Sequence, residues 1–220
     1  MADSSSDSTL HSTRTREIAA REKLILGKPA RITPLDRKKF GEFAMTWWMN
    51  LRKHISGDDS PPPAGAEIPQ IYFYMLRCPE LWDRITALSI QLQRDAQLSF
   101  RDRELAILRT GWLCQAPFEW SEHVKKARKE GFTRDDIERV TVGSSAPEWS
   151  DHERAILGAV EELHNDAMIS DDTWRALARQ LSEEQLLEFT VLVGQFTAVA
   201  YFQNALRLPL LEDSAGLATR

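Results

Sequence analysis

Cysteine is almost missing from this chain. Its 220 residues contain two, Cys78 and Cys114, too few for a disulfide framework. No two histidines stand at metal-ligand spacing: His11, His54, His123, His152 and His164 are scattered, so no metal site is expected. There is no P-loop or glycine-rich dinucleotide fingerprint and no G-x-S-x-G elbow, so no nucleotide cofactor or serine nucleophile is expected. Positive charge is not in excess. Lys and Arg total 28 against 33 Asp and Glu, a net charge of −5, which argues against a nucleic-acid partner. No run of about 18 uninterrupted apolar residues occurs, so neither a transmembrane helix nor a membrane partner is expected. The opening MADSSSDSTLHSTRTR has no apolar h-region, which excludes a secretory signal and leaves a cytoplasmic location as the expectation.

Strand alternation is nearly absent too, and helix-start signals take its place. Ser99 precedes Asp102, Thr133 precedes Asp136, Ser150 precedes Glu153 and Ser182 precedes Gln185. In each pair the hydroxyl can accept from an orphan backbone N–H while the later side chain reaches back. The chain therefore reads as all-α, with about eight or nine helices. They are expected over 36–54, 70–77, 80–96, 100–115, 117–130, 134–142, 151–165, 171–180 and 183–206. Residues 1–30 read as a mobile or extended arm, and 31–67 as a helix followed by a Pro-rich linker, GDDSPPPAGAEIP, which cannot continue a helix. A helical domain over 68–210 and a tail over 211–220 complete the division. The last helix, with FTVLVGQFTAVAYFQNAL, is apolar nearly all round. It should be central or buried between subunits, which points to a homo-oligomer.

The chemistry concentrates in RDRELAILRTGWLCQAPFEWSEHVKKARKEGF. Glu104 shares a helix face with Ile107, Leu108 and Gly111. A carboxylate on an apolar stripe is costly unless paired or neutral. On the next helix Glu119 lies four residues before His123, spacing that allows a carboxylate–imidazole pair. Three titratable groups on a helical hairpin suit acid and base roles. The candidate catalytic residues are His123 as proton donor or acceptor, Glu119 as the group that orients it, and Glu104 as a second acid/base or water polariser. Each also has a plain structural reading as a satisfied core group. Cys114 reads as a buried small apolar residue. Trp120, Tyr201 and Asn204 are candidates for substrate binding. Thr197, Tyr201 and Asn204 recur along the last helix at 197, 201 and 204, where polar groups need partners in the core or in a cavity. Trp47, Trp48 and the run IYFYM over 71–75 fit either core packing or the wall of a pocket for a flat organic molecule.

From about Ile68 to Leu210, the PELWDR entry, the RDRELAILR and EWSEHVKKARKEGF helices and the apolar last helix resemble the carboxymuconolactone decarboxylase family. That family also contains the alkylhydroperoxidase-D-like proteins. The peroxidase branch carries a Glu, eleven residues, Cys, two residues, Cys, three residues, His. Here the Glu falls on Glu104 and the His on His123, but the two thiol positions are Ala116 and Glu119. A dithiol cannot form, so peroxidase activity is disfavoured. The decarboxylase branch, which has an acidic residue four before the histidine, is the better match. The resemblance implies an alkylhydroperoxidase-D-like helical fold with an N-terminal extension, assembly as a dimer, trimer or hexamer, and no metal or organic cofactor. It also implies a small-molecule substrate, a carboxylated lactone of aromatic-compound catabolism in the decarboxylase branch. For this chain the expectation is broader: a lyase or isomerase acting on a small carboxylated or carbonyl-bearing molecule, or a non-catalytic ligand-binding oligomer.

Overall fold

The computed structural model describes the backbone of residues 4–56, 60–61 and 67–220, and side chains from Thr15 onward within those segments except at 54–56. Gly57, Pro62, Pro63 and Gly65, on which the linker expectation rests, lie outside the described residues. The described residues form ten α-helices and no strand: α1 Ser4–Ile25, α2 Arg37–Ser56, α3 Gln70–Met75, α4 Pro79–Gln93, α5 Phe100–Leu113, α6 Pro117–Lys129, α7 Arg134–Val142, α8 Asp151–Asp166, α9 Asp171–Leu177 and α10 Glu183–Leu206.

Hydroxyl caps set the starts of five helices, α5 and α7 to α10. Thr133, Ser150 and Ser182 each accept from the third residue of their helix, whose side chain bonds back to the cap backbone. Ser99 Oγ accepts from Asp102 N at the head of α5, without the reciprocal bond. Ser170 caps α9 by accepting from Thr173 N. Positive-φ glycines follow α6 and α7, Gly131 at +96° and Gly143 at +102°, values that L side chains rarely adopt.

α5 is the centre of the molecule, buried from Arg103 to Gly111 and packed against α6, α7, α8 and α10. Leu105, Ile107 and Leu108 meet Ile156 and Leu157 of α8 and Phe189 and Leu192 of α10 in one core. Each such side chain contributes about 1.5–3 kcal/mol by leaving water. α6 passes close to α5 at Gly111, where a Cβ would sit in ordinary contact, 3.5 Å from both Glu119 Cγ and Trp120 N. Two arginines of α5 brace its neighbours. Arg109 Nη1 donates to the Val140 and Thr141 carbonyls at the end of α7, 2.9 and 3.1 Å away. Its Nη2 pairs with Glu161 of α8 at 2.8 Å. Arg101 pairs with Glu153 at 2.6 Å and Asp136 at 3.3 Å.

The N-terminal segment departs from the extended or mobile arm read from its polar sequence. It is helical, and its second half is docked. Ile25 is buried; Arg21 donates to the Gln115 and Cys114 carbonyls. Glu22 Oε1 accepts from Leu217 N at 2.7 Å. The C-terminal tail folds back over α6 through Ser214–Ser121 and Lys125–Asp213 contacts and onto α7 through Arg220–Glu138. The boundary placed at residue 68 crosses one hydrophobic cluster, in which Ala44 of α2 packs with Ile68, Phe73 and Leu76. α10 has the length and mean apolarity to cross a membrane, although polar residues interrupt its apolar run. One of its faces, with Leu186, Phe189, Leu192, Val193 and Phe196, is packed into the core.

Candidate active site

Three groups converge where α5 and α6 touch. Glu104 on α5 is fully buried, and Glu119 on α6 is 4% exposed. His123, one turn after Glu119, places Nδ1 2.7 Å from Glu104 Oε2. Its Nε2 lies 3.5 Å from Glu119 Oε1, too long for a strong hydrogen bond. Lys126 Nζ approaches Glu104 Oε1 at 3.0 Å.

The two carboxyls experience opposite fields. Burial alone would raise the Glu104 pKa, but the adjoining His123 and Lys126, by charge and by hydrogen bond, hold it at about 2. Glu104 is therefore an anion, and His123 Nδ1 must carry the proton it shares with that carboxylate. Nε2 is the ring position left for chemistry. At Glu119 burial wins. It pushes the carboxyl up to about 7 against the pull of His123, with Glu104 adding to the rise, the Gln203 amide opposing it and Glu122 adding. A carboxyl buried beside a second, ionised carboxylate has its proton affinity raised on both counts.

Glu119 and His123 open onto a cavity of about 390 Å³. Its walls come from α2 (Leu51), α3 (Ile71, Tyr72, Met75), α4 (Trp82, Ile85, Ser89, Gln93) and α10 (Phe196, Val199, Gln203). The IYFYM run thus divides: Ile71, Tyr72 and Met75 face the cavity, and Phe73 fills the small core with Ala44. The His123 ring meets Phe196 edge-on at 5.1 Å. Among the described residues, no Lys or Arg lines the cavity, and Glu119 Oε1 and Gln203 Oε1 are buried without a hydrogen-bond partner. The Tyr72 hydroxyl is kept protonated, its pKa raised by burial and by Glu122.

Glu104, Glu119 and His123 are brought together, with a difference in arrangement. The carboxylate that grips the ring is Glu104, across the helix pair, and Glu119 is the one that titrates. The three residues expected to bind substrate lie elsewhere. Trp120 is in the core, its Nε1 donating to the Thr219 carbonyl at 3.0 Å and its ring tilted against Trp112. Tyr201 is 62% exposed on the outer face of α10. Asn204 Nδ2 donates to the Cys114 carbonyl at 3.0 Å. Thr197 returns to its own helix at Val193 O. The α10 residues that do reach the cavity are Phe196, Val199 and Gln203; Phe196 and Gln203 each adjoin an expected residue and lie about 100° from it around the helix. Cys114 is buried, its thiol pushed up to about 11. It borders a different cavity, with Arg21, Tyr201 and Asn204.

Residues 79–162 match the carboxymuconolactone decarboxylase family. No curated protein matches the chain. Among solved structures, a protein of unknown function from Agrobacterium tumefaciens is 25% identical, with a TM-score of 0.60, over 64% of this chain and 97% of its own. The alkylhydroperoxidase AhpD core of a peroxidase-related protein from Ralstonia eutropha JMP134 is 12% identical, with a TM-score of 0.68, over 84% of this chain and 94% of its own. The debrominase Bmp8 is 14% identical, with a TM-score of 0.64, over 83% and 92%. α2 and α3, which wall the cavity, precede the matched segment. Residues 79–162 are thus similar to the carboxymuconolactone decarboxylase family, and the chain has an alkylhydroperoxidase-D-like all-helical fold.

Proposed function

We propose that this protein is a proton-transfer enzyme, a cofactor-free lyase or isomerase for a small organic molecule held in the cavity beside His123. One observation carries the reading: the buried Glu104–His123–Glu119 chain ends at the cavity wall on its titrating member. Ionised Glu104 fixes the imidazole by its Nδ1 proton, so Nε2 is the acid/base atom. Glu119, with a pKa of about 7, exchanges a proton at neutral pH, where general acid/base catalysis is most effective. In this scheme Nε2 takes a proton from the carbon beside a carbonyl. The C–H electron pair moves into an enolate, whose oxygen is met by a hydroxyl donor, Tyr72 or protonated Glu119. The proton then returns at a second carbon in an isomerisation, or a leaving group departs in a lyase reaction.

The lining supports a carbonyl compound over a carboxylated one, because an unpaired carboxylate is costly to bury and no Lys or Arg among the described residues meets it there. Two orphaned acceptor oxygens, on Glu119 and Gln203, favour a molecule that also brings a hydroxyl or amide hydrogen. Bmp8, which shares only the fold, has been solved as a variant in complex with 2,3,4-tribromopyrrole, a small ring that gives the cavity a size of ligand to try. A peroxidase reaction through Cys114 is not supported, since that thiol borders another cavity.

The test is hydrogen exchange in D₂O. Ketones, lactones, keto acids and phenols are incubated with the protein and followed by proton NMR. Enzyme-dependent loss of a C–H signal, abolished in His123→Gln, is the expected result. A compound that raises thermal stability but never exchanges would replace this reading with non-catalytic ligand binding.

A further inference from the structure

The cavity beside Cys114 gathers positive charge that the fold does not balance. Arg21, Arg31 and Arg207 line its volume of about 480 Å³. Arg207 also lines an adjoining cavity of about 380 Å³, which adds Lys28, so the two form one cleft around the end of α10. Among the described residues no Asp or Glu lines either part, although the whole chain has a net charge of −5. Arg31, Arg207 and Lys28 have no carboxylate partner among those residues either. Cations gathered in a concave region repel one another, and its walls focus their field on an incoming anion.

Helix capping does not account for them. Basic side chains near a helix end can meet its last carbonyls. At the end of α10 the carbonyls of Gln203, Asn204 and Leu206 already accept from the backbone N–H groups of Leu208, Arg207 and Arg31. The guanidiniums of Arg31 and Arg207 are not used there. Arg21 does reach carbonyls, donating through Nε and Nη2 to Gln115 and Cys114. Those bonds hold its guanidinium at the cleft and leave Nη1 to donate to a ligand. Leu26, Pro29 and Leu210, with Tyr74, make the wall beyond Arg207 largely apolar. The cleft lies on another face of α3 from the His123 cavity, which Tyr72 and Met75 line.

We infer that this cleft binds a small soluble organic phosphate, with its phosphate among Arg21, Arg31 and Arg207 and its apolar body toward Tyr74 and Leu210. A guanidinium fork matches phosphate oxygens bidentately and is more weakly hydrated than an ammonium. A phosphate monoester carries nearly two negative charges at neutral pH, which suits several cations better than one carboxylate does. Each part of the cleft has the volume of an ordinary small-molecule site. The site is separate from the proton-transfer site and stands whether or not that reading does.

The full chain is titrated calorimetrically with 1-naphthyl phosphate, inorganic phosphate and 1-naphthol. The ester should bind, inorganic phosphate more weakly, and 1-naphthol not at all. Arg31→Gln combined with Arg207→Gly should weaken the ester by about tenfold or more. Circular dichroism should be unchanged, because Arg31 is exposed and Arg207 holds φ at +55°, which glycine adopts freely. Arg31→Gln alone should weaken the ester in the same direction. Arg134→Gln with Arg179→Gln removes equal charge at exposed positions elsewhere and should leave the affinity unchanged, as should His123→Gln. Absence of ester binding at millimolar concentration overturns the inference, and so does 1-naphthol binding as tightly as the ester. Equal loss in the two double variants would reduce the effect to general charge, and loss in His123→Gln would move the ligand to the other cavity; either result refutes the site. Binding confined to phosphatidylcholine vesicles containing phosphatidic acid, with none to the soluble ester, would replace the small ligand with a lipid surface.

Discussion

Replacing Glu119 by Gln should make the protein more stable at alkaline pH and leave it unchanged in mild acid. Glu119 moves from an ordinary 4.5 to about 7 on folding. The folded state therefore holds that proton more tightly than the unfolded chain does. The resulting stability is fully present below pH 4.5 and is lost as pH rises through 7. At about 1.4 kcal/mol per pK unit, the loss above that point comes to about 3 kcal/mol. Glu104 has the opposite sign. Its pKa falls from 4.5 to about 2, so its contribution is present above pH 4.5 and disappears as pH falls through 2, again about 3 kcal/mol. The first contribution declines from about pH 4.5 to 7 and the second from about pH 4.5 to 2, so wild-type stability should peak near about pH 4.5. Glutamine is a neutral isostere that never ionises, so Glu119→Gln should lose the alkaline decline and keep the acid one. Urea unfolding followed by tryptophan fluorescence, at one protein concentration and in steps from pH 4 to 9, measures this directly. The curves should nearly coincide at about pH 4 and stand about 3 kcal/mol apart above about pH 8. Parallel curves at every pH would show that Glu119 titrates like a surface carboxyl, and would remove the physical basis for its acid/base role. A variant that gains stability while losing turnover is the expected mark of a carboxyl kept buried for chemistry.

His123→Gln should lower the rate of any turnover or exchange reaction found by about 10²–10⁴ with the circular dichroism spectrum unchanged; a full-rate variant would exclude the ring from the chemistry. Gly143→Ala should destabilise by about 2 kcal/mol or more, because φ is +102° and a Cβ would overlap Glu161 Oε1 and the Arg109 guanidinium. Gly131→Ala, at similar φ but with nothing within 4 Å, should cost only the backbone term, about 1 kcal/mol, and thermal melts of the two compare them. Iodoacetamide added to the native protein should modify exposed Cys78 and spare buried Cys114, whose thiol at about 11 is almost wholly protonated at neutral pH; mass spectrometry of the digest reads both.

The chain wrote its helix limits plainly wherever a hydroxyl cap fixed them. α7 and α10 begin and end where the sequence places them, because Thr133 with Asp136 and Ser182 with Gln185 close reciprocal bonds that depend on a few neighbouring residues. α1 was not legible, because what secures it is distant: Arg21 on the α5–α6 turn and Glu22 on the backbone of Leu217. The site followed the same division. Glu104 declared itself as a carboxylate on an apolar stripe, and His123 by its place on the facing helix. Which carboxyl grips the ring did not, because four-residue spacing favours Glu119, while the 2.7 Å contact of Glu104 with His123 is a tertiary one between α5 and α6.

α10 shows why the rest could not be read. On an ordinary surface helix the apolar arc marks the inside, so Gln203 could have been told from Asn204 by its face. Here Leu186, Phe189, Val193 and Phe196 make one apolar face and Leu187, Val191, Ala198 and Tyr201 another. With no polar arc to orient the helix, its sequence does not tell the faces of Tyr201 and Asn204 from those of Val199 and Gln203. One chain buries only the first of these faces. A helix that is apolar on two sides but packed on one has kept a surface that water disfavours. The sequence does not orient α10 because the helix carries two apolar faces, and the chain packs the one with Leu186, Phe189, Val193 and Phe196 into its core.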